Sequence, residues 1–262
     1  MQQTTLLNGL RLLEALAASR QPRGVTQLAE ELGIVKSNAH RLLQALASKG
    51  YVRQDSASAR YACTLKLWGL ATSVSERFDV AIVARPHIAE LARRTKETVH
   101  LSVLEDGDVV YLDKIDSPQP VRAYSRVGGR APAYCVATGK ALLAFAPRDV
   151  LDNVSRKLKQ HAPHTITDRK ALERELLRVR DLGYAVNRGE WRESVGGIAA
   201  PIFGPSEQAV AAVGISGPVE RLSVSRLREF APHVVVAAEN ISRALGGLGR
   251  GMPARRGLRA AG

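Results

Sequence analysis

The chain has 262 residues, 45% hydrophobic and 24% charged, with a formal net charge of +13. That length suits two domains with ordinary cores, and the cation excess favours a polyanion, since each phosphate neutralised by Lys or Arg releases counterions. No apolar run approaches the roughly 20 residues that cross a bilayer, the start MQQTTLLNGLRLLEALAAS does not read as a signal peptide, and Cys63 and Cys135 are too few for a disulfide framework and lack metal-ligand spacing.

A cytoplasmic protein with no membrane partner, no metal and no cofactor is therefore expected. From about Thr5 to Ala18, Leu6, Leu7, Leu10, Leu13 and Leu16 recur mostly at three- and four-residue spacing, which predicts an amphipathic helix broken by Gln21-Pro22-Arg23-Gly24. The segment from Val25 to Val52, VTQLAEELGIVKSNAHRLLQALASKGYV, then places two short helical apolar blocks on either side of Gly33-Ile34. That is the outline of a helix-turn-helix, whose second helix opens with short polar or basic residues able to reach bases and phosphates in a major groove. Lys36, Ser37, Asn38, His40 and Arg41 hold those positions, and Thr26 and Gln27 stand at the start of the supporting helix. A helical hairpin with a solvated polar face has the same outline.

Tyr51-Val52-Arg53 and RYACTL read as extended on either side of the polar turn QDSASA, which makes a two-stranded wing with Arg53 and Arg60 as candidate phosphate or minor-groove contacts. Leu65, Leu67, Trp68 and Leu70 begin a linker helix, and a second helical run covers Val80 to Thr95, with Pro86 expected to kink it or to start a new helix. The apolar face of this pair is expected to need a partner subunit.

A second domain begins near Glu97. Thr98–Leu104 and Val109–Ile115 read as a hairpin around Glu105-Asp106-Gly107-Asp108, and Val121–Ser125 as a third strand. APAYCVATGKALLAFAP is a loop leading into a short helix; it lacks the glycine and the Ser or Thr of a phosphate loop, at Tyr134 and Ala141. A charged helix is expected from Thr167 to Asp181, with Leu172, Leu176, Leu177 and Val179 inward. Tyr184–Asn187, the stretch ending IAAPIF and Gln208–Ser216 read as strands, the last two central in one sheet; Val224–Leu245 reads as a final helix and 247–262 as a disordered basic tail. No catalytic constellation is complete. Gly214-Ile215-Ser216-Gly217 is followed by Pro218 and makes no nucleophile elbow, and Cys135 needs His100, His161 or His164 brought beside it by the fold.

Taken together, LLNGLRLLEAL, the helix-turn-helix, RYACTLKLWGLA, VGGRAPAYCVATGKALLA, GYAVNRGEWRESVGGIAAPIF and AAVGISGP resemble the IclR-type transcriptional regulators of bacteria over roughly Thr5 to Gly246. The resemblance implies an α+β chain: a winged helix-turn-helix over 1–66, linker helices with dimerisation over 67–96, and a GAF- or profilin-like α/β effector-binding domain over 97–246. It implies homodimers or homotetramers on double-stranded palindromic operator DNA, controlled by a small-molecule effector, and no enzymatic activity. It places the effector beside Ala137, Thr138, Asn187, Gly197, Gly214 and Ser216. Several members carry Asp, Cys and Ser where this chain has Asn187, Gly197 and Gly214. Glycine in place of larger side chains is expected to enlarge the cavity, so the effector is expected to exceed a two- or three-carbon acid, for instance an aromatic acid or an amino-acid-derived compound. Ser194 replaces a common glycine, and a left-handed turn there would strain serine, so a different loop is expected over 188–194. A sensor whose head binds protein instead of DNA is the competing reading.

Overall fold

The computed structural model describes residues 4–19, 21–75 and 79–247. The chain divides into two compact units, Met1–Phe78 and Asp79–Gly262. The tail from 248 lies outside the described residues.

In the first unit, α1 (Thr4–Ala17), α2 (Val25–Leu32) and α3 (Lys36–Ser48) close on Leu12, Leu16, Leu28, Leu42 and Leu43. Leu12, Leu28 and Leu43 are fully buried, each worth about 1.5–3 kcal/mol on transfer from water. The turn between α2 and α3 rests on Gly33, whose φ of 64° is the left-handed conformation that closes α2, with its N–H bonded to the Glu30 carbonyl. The wing is β1 (Val52–Gln54) against β2 (Tyr61–Cys63), and Tyr61 also exchanges backbone bonds of 2.8 Å with Arg23, which ties the wing to the entry of α2. Only part of the leucine row of the predicted amphipathic helix faces this core: Leu12 and Leu16 are buried, whereas Leu6, Leu7 and Leu10 are exposed. α4 (Lys66–Ser75) follows, with Leu65 and Trp68 exposed beside its start.

The second unit opens with α5 (Asp79–Thr95), which runs through Pro86 as one helix instead of restarting there. Then come β3 (Thr98–Glu105), β4 (Asp108–Ile115), β5 (Arg130–Pro132), a 3-10 turn at Ala133–Cys135, α6 (Ala137–Leu143), α7 (Arg148–Ser155), α8 (Arg169–Leu182), β6 (Ala185–Arg188), β7 (Val195–Phe203), β8 (Ala209–Pro218) and α9 (Val224–Ala244). The strands form one antiparallel sheet in the order β5-β4-β3-β8-β7-β6, so β3 and β8 are central and β7 lies one strand from the edge.

Strand alternation sends Val99, Leu101, Ile198, Val213 and Ile215 to one face, where Ala84, Ile88 and Leu91 of α5 and Val234 and Ile241 of α9 cover them. Much of the apolar face of α5 is thus covered within its own unit, while Ile82 on the same helix is exposed. Ala185, Ala199 and Ala212 face the other way against Leu142 of α6 and Leu172, Leu176 and Val179 of α8. Leu177, expected inward, is exposed. The third strand is Arg130–Pro132; residues 121–125 have no strand partner and their polar groups bond elsewhere, as described below.

Candidate nucleic-acid interface and small-molecule cavity

On α3, Ala39, Leu42 and Leu43 face the core, which turns Lys36, Ser37, His40 and Arg41 outward on the opposite side. At 100° per residue these side chains and Gln44 fall on one stripe about 140° wide. Asn38 stands at its flank, half-buried, and its Oδ1 accepts a 3.2 Å bond from Arg41 Nη2. Its first task is to orient that guanidinium. Gln44, one turn beyond His40, donates to the Tyr61 hydroxyl at 3.3 Å and links the stripe to the wing; the sequence reading overlooked it, although its spacing from Lys36 and His40 was visible.

Thr26 and Gln27 are exposed on α2, but Gln27 Oε1 accepts the Gly24 N–H at 3.4 Å and so caps its own helix. Arg53 and Arg60 are exposed on the wing. Their spacing is set by the tip, where Asp55 Oδ1 accepts from Ser58 N and Oγ at 2.8 and 2.7 Å. Those bonds hold the Asp55 carboxyl below its ordinary range.

In the second unit, Ala137, Thr138, Asn187, Gly197, Gly214 and Ser216 line a single cavity of about 50 Å³. Register explains the convergence: Asn187 pairs with Gly197, Gly197 with Ser216, and Gly214 with His100, so all point to the α6 face where α6 leaves the sheet uncovered. His100, Tyr111, Tyr124, Ser125, Trp191 and Arg192 complete the polar lining, none of them anticipated there. His100 alternates in phase with Thr98 and Ser102 on β3; that polar row reads as a solvated face, yet all three are buried.

His100 Nε2 lies 2.7 Å from Ser125 Oγ and Nδ1 lies 3.4 Å from Ser216 Oγ. Lys114 Nζ donates to the Ser125 carbonyl at 2.7 Å, and Arg221, paired with Glu97, donates to the Val121 carbonyl at 2.9 Å. These bonds bend residues 121–125 over the cavity as a wall instead of a strand. Burial, then the Lys114 charge, push His100 down from its ordinary 6.5 to about 4. The depressed value means that the folded state resists protonation, so stability is whole above pH about 6.5 and falls as pH drops toward 4. Relative to His100→Gln, the chain is expected to lose about 2 kcal/mol between pH 7 and pH 5, read from urea midpoints; equal losses in both proteins would contradict this.

The glycines do not open space. A Cβ on Gly197 would lie 2.6 Å from the Ile215 carbonyl oxygen, and one on Gly214 would lie 2.6 Å from both the Ala199 Cβ and the Ile198 oxygen. The expectation of a cavity enlarged at these positions is therefore overturned: neighbouring strands fill the volume. Asn187 is likewise engaged, its Oδ1 accepting the Glu190 N–H at 2.9 Å and its Nδ2 donating to the Val195 carbonyl at 3.3 Å. The left-handed turn of the 188–194 loop falls at Gly189, φ 75°, and Ser194 is free of that strain.

Behind the cavity, Lys140 is 1% exposed with Nζ 2.7 Å from both Glu190 oxygens and 3.3 Å from Glu175 Oε1. Thr165 donates to the Glu190 carbonyl at 2.6 Å. Burial pushes the Glu190 carboxyl up against the opposing pull of Lys140. Cys135 is buried and its thiol is pushed up to about 12 by burial, the reverse of an activated nucleophile. His161 bonds Tyr134 at 3.0 Å instead. No helix among the described residues is long and apolar enough to cross a membrane.

A family model described as the IclR helix-turn-helix domain matches residues 5–56, and one described as the bacterial transcriptional regulator IclR C-terminal domain matches residues 72–243. The chain is 36% identical over 245 residues to the HTH-type transcriptional regulator KdgR of Escherichia coli K12, covering 93% of each. It is similar to the crystal structure of Thermotoga maritima IclR, with a TM-score of 0.80 and 32% identity over 93% of this chain and 99% of that one. An IclR homologue from Microbacterium hydrocarbonoxydans, solved in complex with 4-hydroxybenzoate, gives a TM-score of 0.80 and 27% identity over 92% and 98% of the two chains. A wing beside an exposed polar stripe, a six-stranded domain with a polar cavity, and two family models in that order lead to one conclusion: the chain belongs to the IclR family and is a transcriptional regulator with a DNA-binding helix-turn-helix and an effector-binding domain.

Proposed function

We propose that this regulator binds a palindromic operator as a dimer or a pair of dimers. α3 enters the major groove, Ser37, His40 and Gln44 meet base edges, and Lys36, Arg41, Arg53 and Arg60 meet phosphates. The observation that carries this reading is the single outward stripe on α3, with cations at its margins and no carboxylate on it. Thr26 and Gln27 contribute from the start of α2, Gln27 through its backbone as much as its amide. The head extends over about 1–66, the linker helices over 67–96 and the effector domain over 97–246, and the protein works in the cytoplasm, where its DNA is.

Self-association is supported by apolar side chains that are exposed among the described residues of the first unit. Leu6, Leu7 and Leu10 of α1 are 59%, 44% and 47% exposed, and Leu65 is 85% exposed. Burying them against a second copy recovers apolar area, and a two-fold pair of α3 helices reads half-sites about one duplex turn apart.

The cavity lined by Ala137, Thr138, Asn187, Gly197, Gly214 and Ser216 takes the effector and controls release. A volume of about 50 Å³ holds roughly four waters, so a compact acid fits as the cavity stands. A ring acid such as the 4-hydroxybenzoate held by the Microbacterium homologue fits with the 121–125 wall displaced. Footprinting the DNA upstream of the gene should show two protected half-sites related by a dyad, with a dimer or tetramer by light scattering. Protection no better than on unrelated DNA would favour a head that binds protein.

A further inference from the structure

The sheet of the second unit has an open side at β6. Among the described residues β6 ends the strand order and pairs with β7 alone, and the Gly189 N–H continues that register by donating to the Val195 carbonyl at 3.1 Å. Directly opposed residues in an antiparallel ladder alternate between bonded and unbonded pairs. Ala185 and Asn187 therefore turn their main-chain groups toward β7, whereas Val186 and Arg188 turn theirs away from the sheet. Glu190 Oε1 accepts the Arg188 N–H at 3.3 Å. The Val186 N–H and carbonyl and the Arg188 carbonyl have no partner among the described residues.

Arginines gather along that side. α8 packs on one face of the sheet and α9 on the other, yet Arg178 of α8 and Arg228 of α9 line one small cavity together with Arg188, so the cavity lies at the edge where the two layers meet. The guanidinia of Arg188 and Arg228 have no hydrogen bond or ion pair among the described residues. Arg178 reaches Glu175 at 3.8 Å, a carboxylate that also accepts from Lys140 at 3.3 Å. No Asp or Glu lines the cavity. Beside the cations stand half-buried Val186 and Val224, which is 45% exposed. The cavity volume of about 20 Å³ admits roughly one or two waters, or the oxygens of one carboxylate in their place.

These features choose among occupants. Pairing β6 with β6 of a second copy would crowd three arginines from each chain together, and charge on an edge strand discourages such pairing. A DNA duplex would satisfy the cations but neither the outward main-chain groups nor the valines. An extended chain bearing carboxylates satisfies all of them, because its main chain can bond Val186 while its side chains opposite Val186 and Arg188 lie on the same face of the sheet as theirs. We propose that the open side of β6 receives an extended acidic segment of a partner protein as a further strand, its carboxylates paired with Arg188, Arg228 and Arg178. β6 turns Asn187 into the effector cavity and Arg188 away from it, so the partner engages the same strand without entering that cavity.

Fluorescence anisotropy on the full chain tests this with a labelled octapeptide of alternating Glu and Thr. The comparisons are a Lys-Thr octapeptide and two forms of the acidic peptide, one N-methylated on its Glu amides and one on its Thr amides. Saturable binding of the acidic peptide is expected near physiological salt, with the lysine peptide at least tenfold weaker. At least one methylated form should also be tenfold weaker or more, since one of the two sets of amides faces β6. Arg188→Gln combined with Arg228→Gln should weaken the acidic peptide at least tenfold; both side chains are exposed, so this variant should keep the wild-type melting temperature and still protect the operator. No binding of the acidic peptide, or equal affinity of both methylated forms and their parent, overturns the proposal. Tighter binding of a short unrelated duplex or of inorganic pyrophosphate, lost in the same double variant, overturns it in favour of a phosphate-bearing partner.

Discussion

Replacing Lys140 with methionine is expected to destabilise the second unit by about 3–5 kcal/mol, the cost of leaving a buried charge without its partner. Lys140 is 1% exposed and touches both oxygens of Glu190, itself 6% exposed. Methionine fills much of the same volume but supplies no charge, so Glu190 must be buried ionised or take up a proton. Its folded value then rises above the ordinary one. For an acid raised in this way, stability is retained below the unfolded value and lost as pH climbs, so the defect should be smallest near pH 4 and full at pH 7. Adding Glu190→Gln removes the stranded charge and should restore most of the loss. Urea denaturation of the three proteins at both pH values gives the comparison. A single variant as stable as wild type at pH 7 would show that the pair contributes nothing. The effect should also reach the cavity, because the Glu190 N–H holds the Asn187 amide and the Glu190 carbonyl holds Thr165.

The second large effect is expected at the DNA surface. Lys36 and Arg41 are exposed at the two margins of the α3 stripe, and Asn38 aims the Arg41 guanidinium. Each phosphate contact removed should lower the dependence of log affinity on log salt by about 0.9. The double substitution Lys36→Ala and Arg41→Ala is therefore expected to weaken operator and unrelated duplex alike, by about 10- to 100-fold per protomer near physiological salt, and to lower the slope by roughly two. Asn38→Ala should show a smaller loss of the same kind, since its side chain works through Arg41. A loss confined to the operator would reassign these residues to base reading.

Much of the first unit was legible because its signals are local. Gly33 between two helical apolar blocks sets the turn, and Ala39, Leu42 and Leu43 fix which way Lys36, Ser37, His40 and Arg41 face. What escaped there was the surplus: a leucine row on α1 reads as one face, but Leu6, Leu7 and Leu10 stay exposed among the described residues. The second unit was legible strand by strand and opaque across strands. Val121–Ser125 has the composition of a strand, yet its carbonyls at 121 and 125 bond Arg221 and Lys114, groups brought there by distant segments. The Lys140–Glu190 pair joins residues 50 apart, and no local pattern around either residue announces the other. The glycines misled for a related reason. A small residue opens space only if its neighbours leave the room empty, and at Gly197 and Gly214 atoms of the adjoining strands occupy it.

That α3 reads operator DNA is tested most directly by the ratio of affinities for the operator and an unrelated duplex, measured by gel shift across a salt series with wild type and Ser37→Ala. Wild type should favour its operator by 10³-fold or more, and both duplexes should show steep negative salt slopes. Ser37→Ala should cut the ratio about tenfold with the slopes unchanged, because it removes a base contact and no phosphate contact. Equal affinity of wild type for both duplexes, or a ratio untouched by the substitution, would contradict the account.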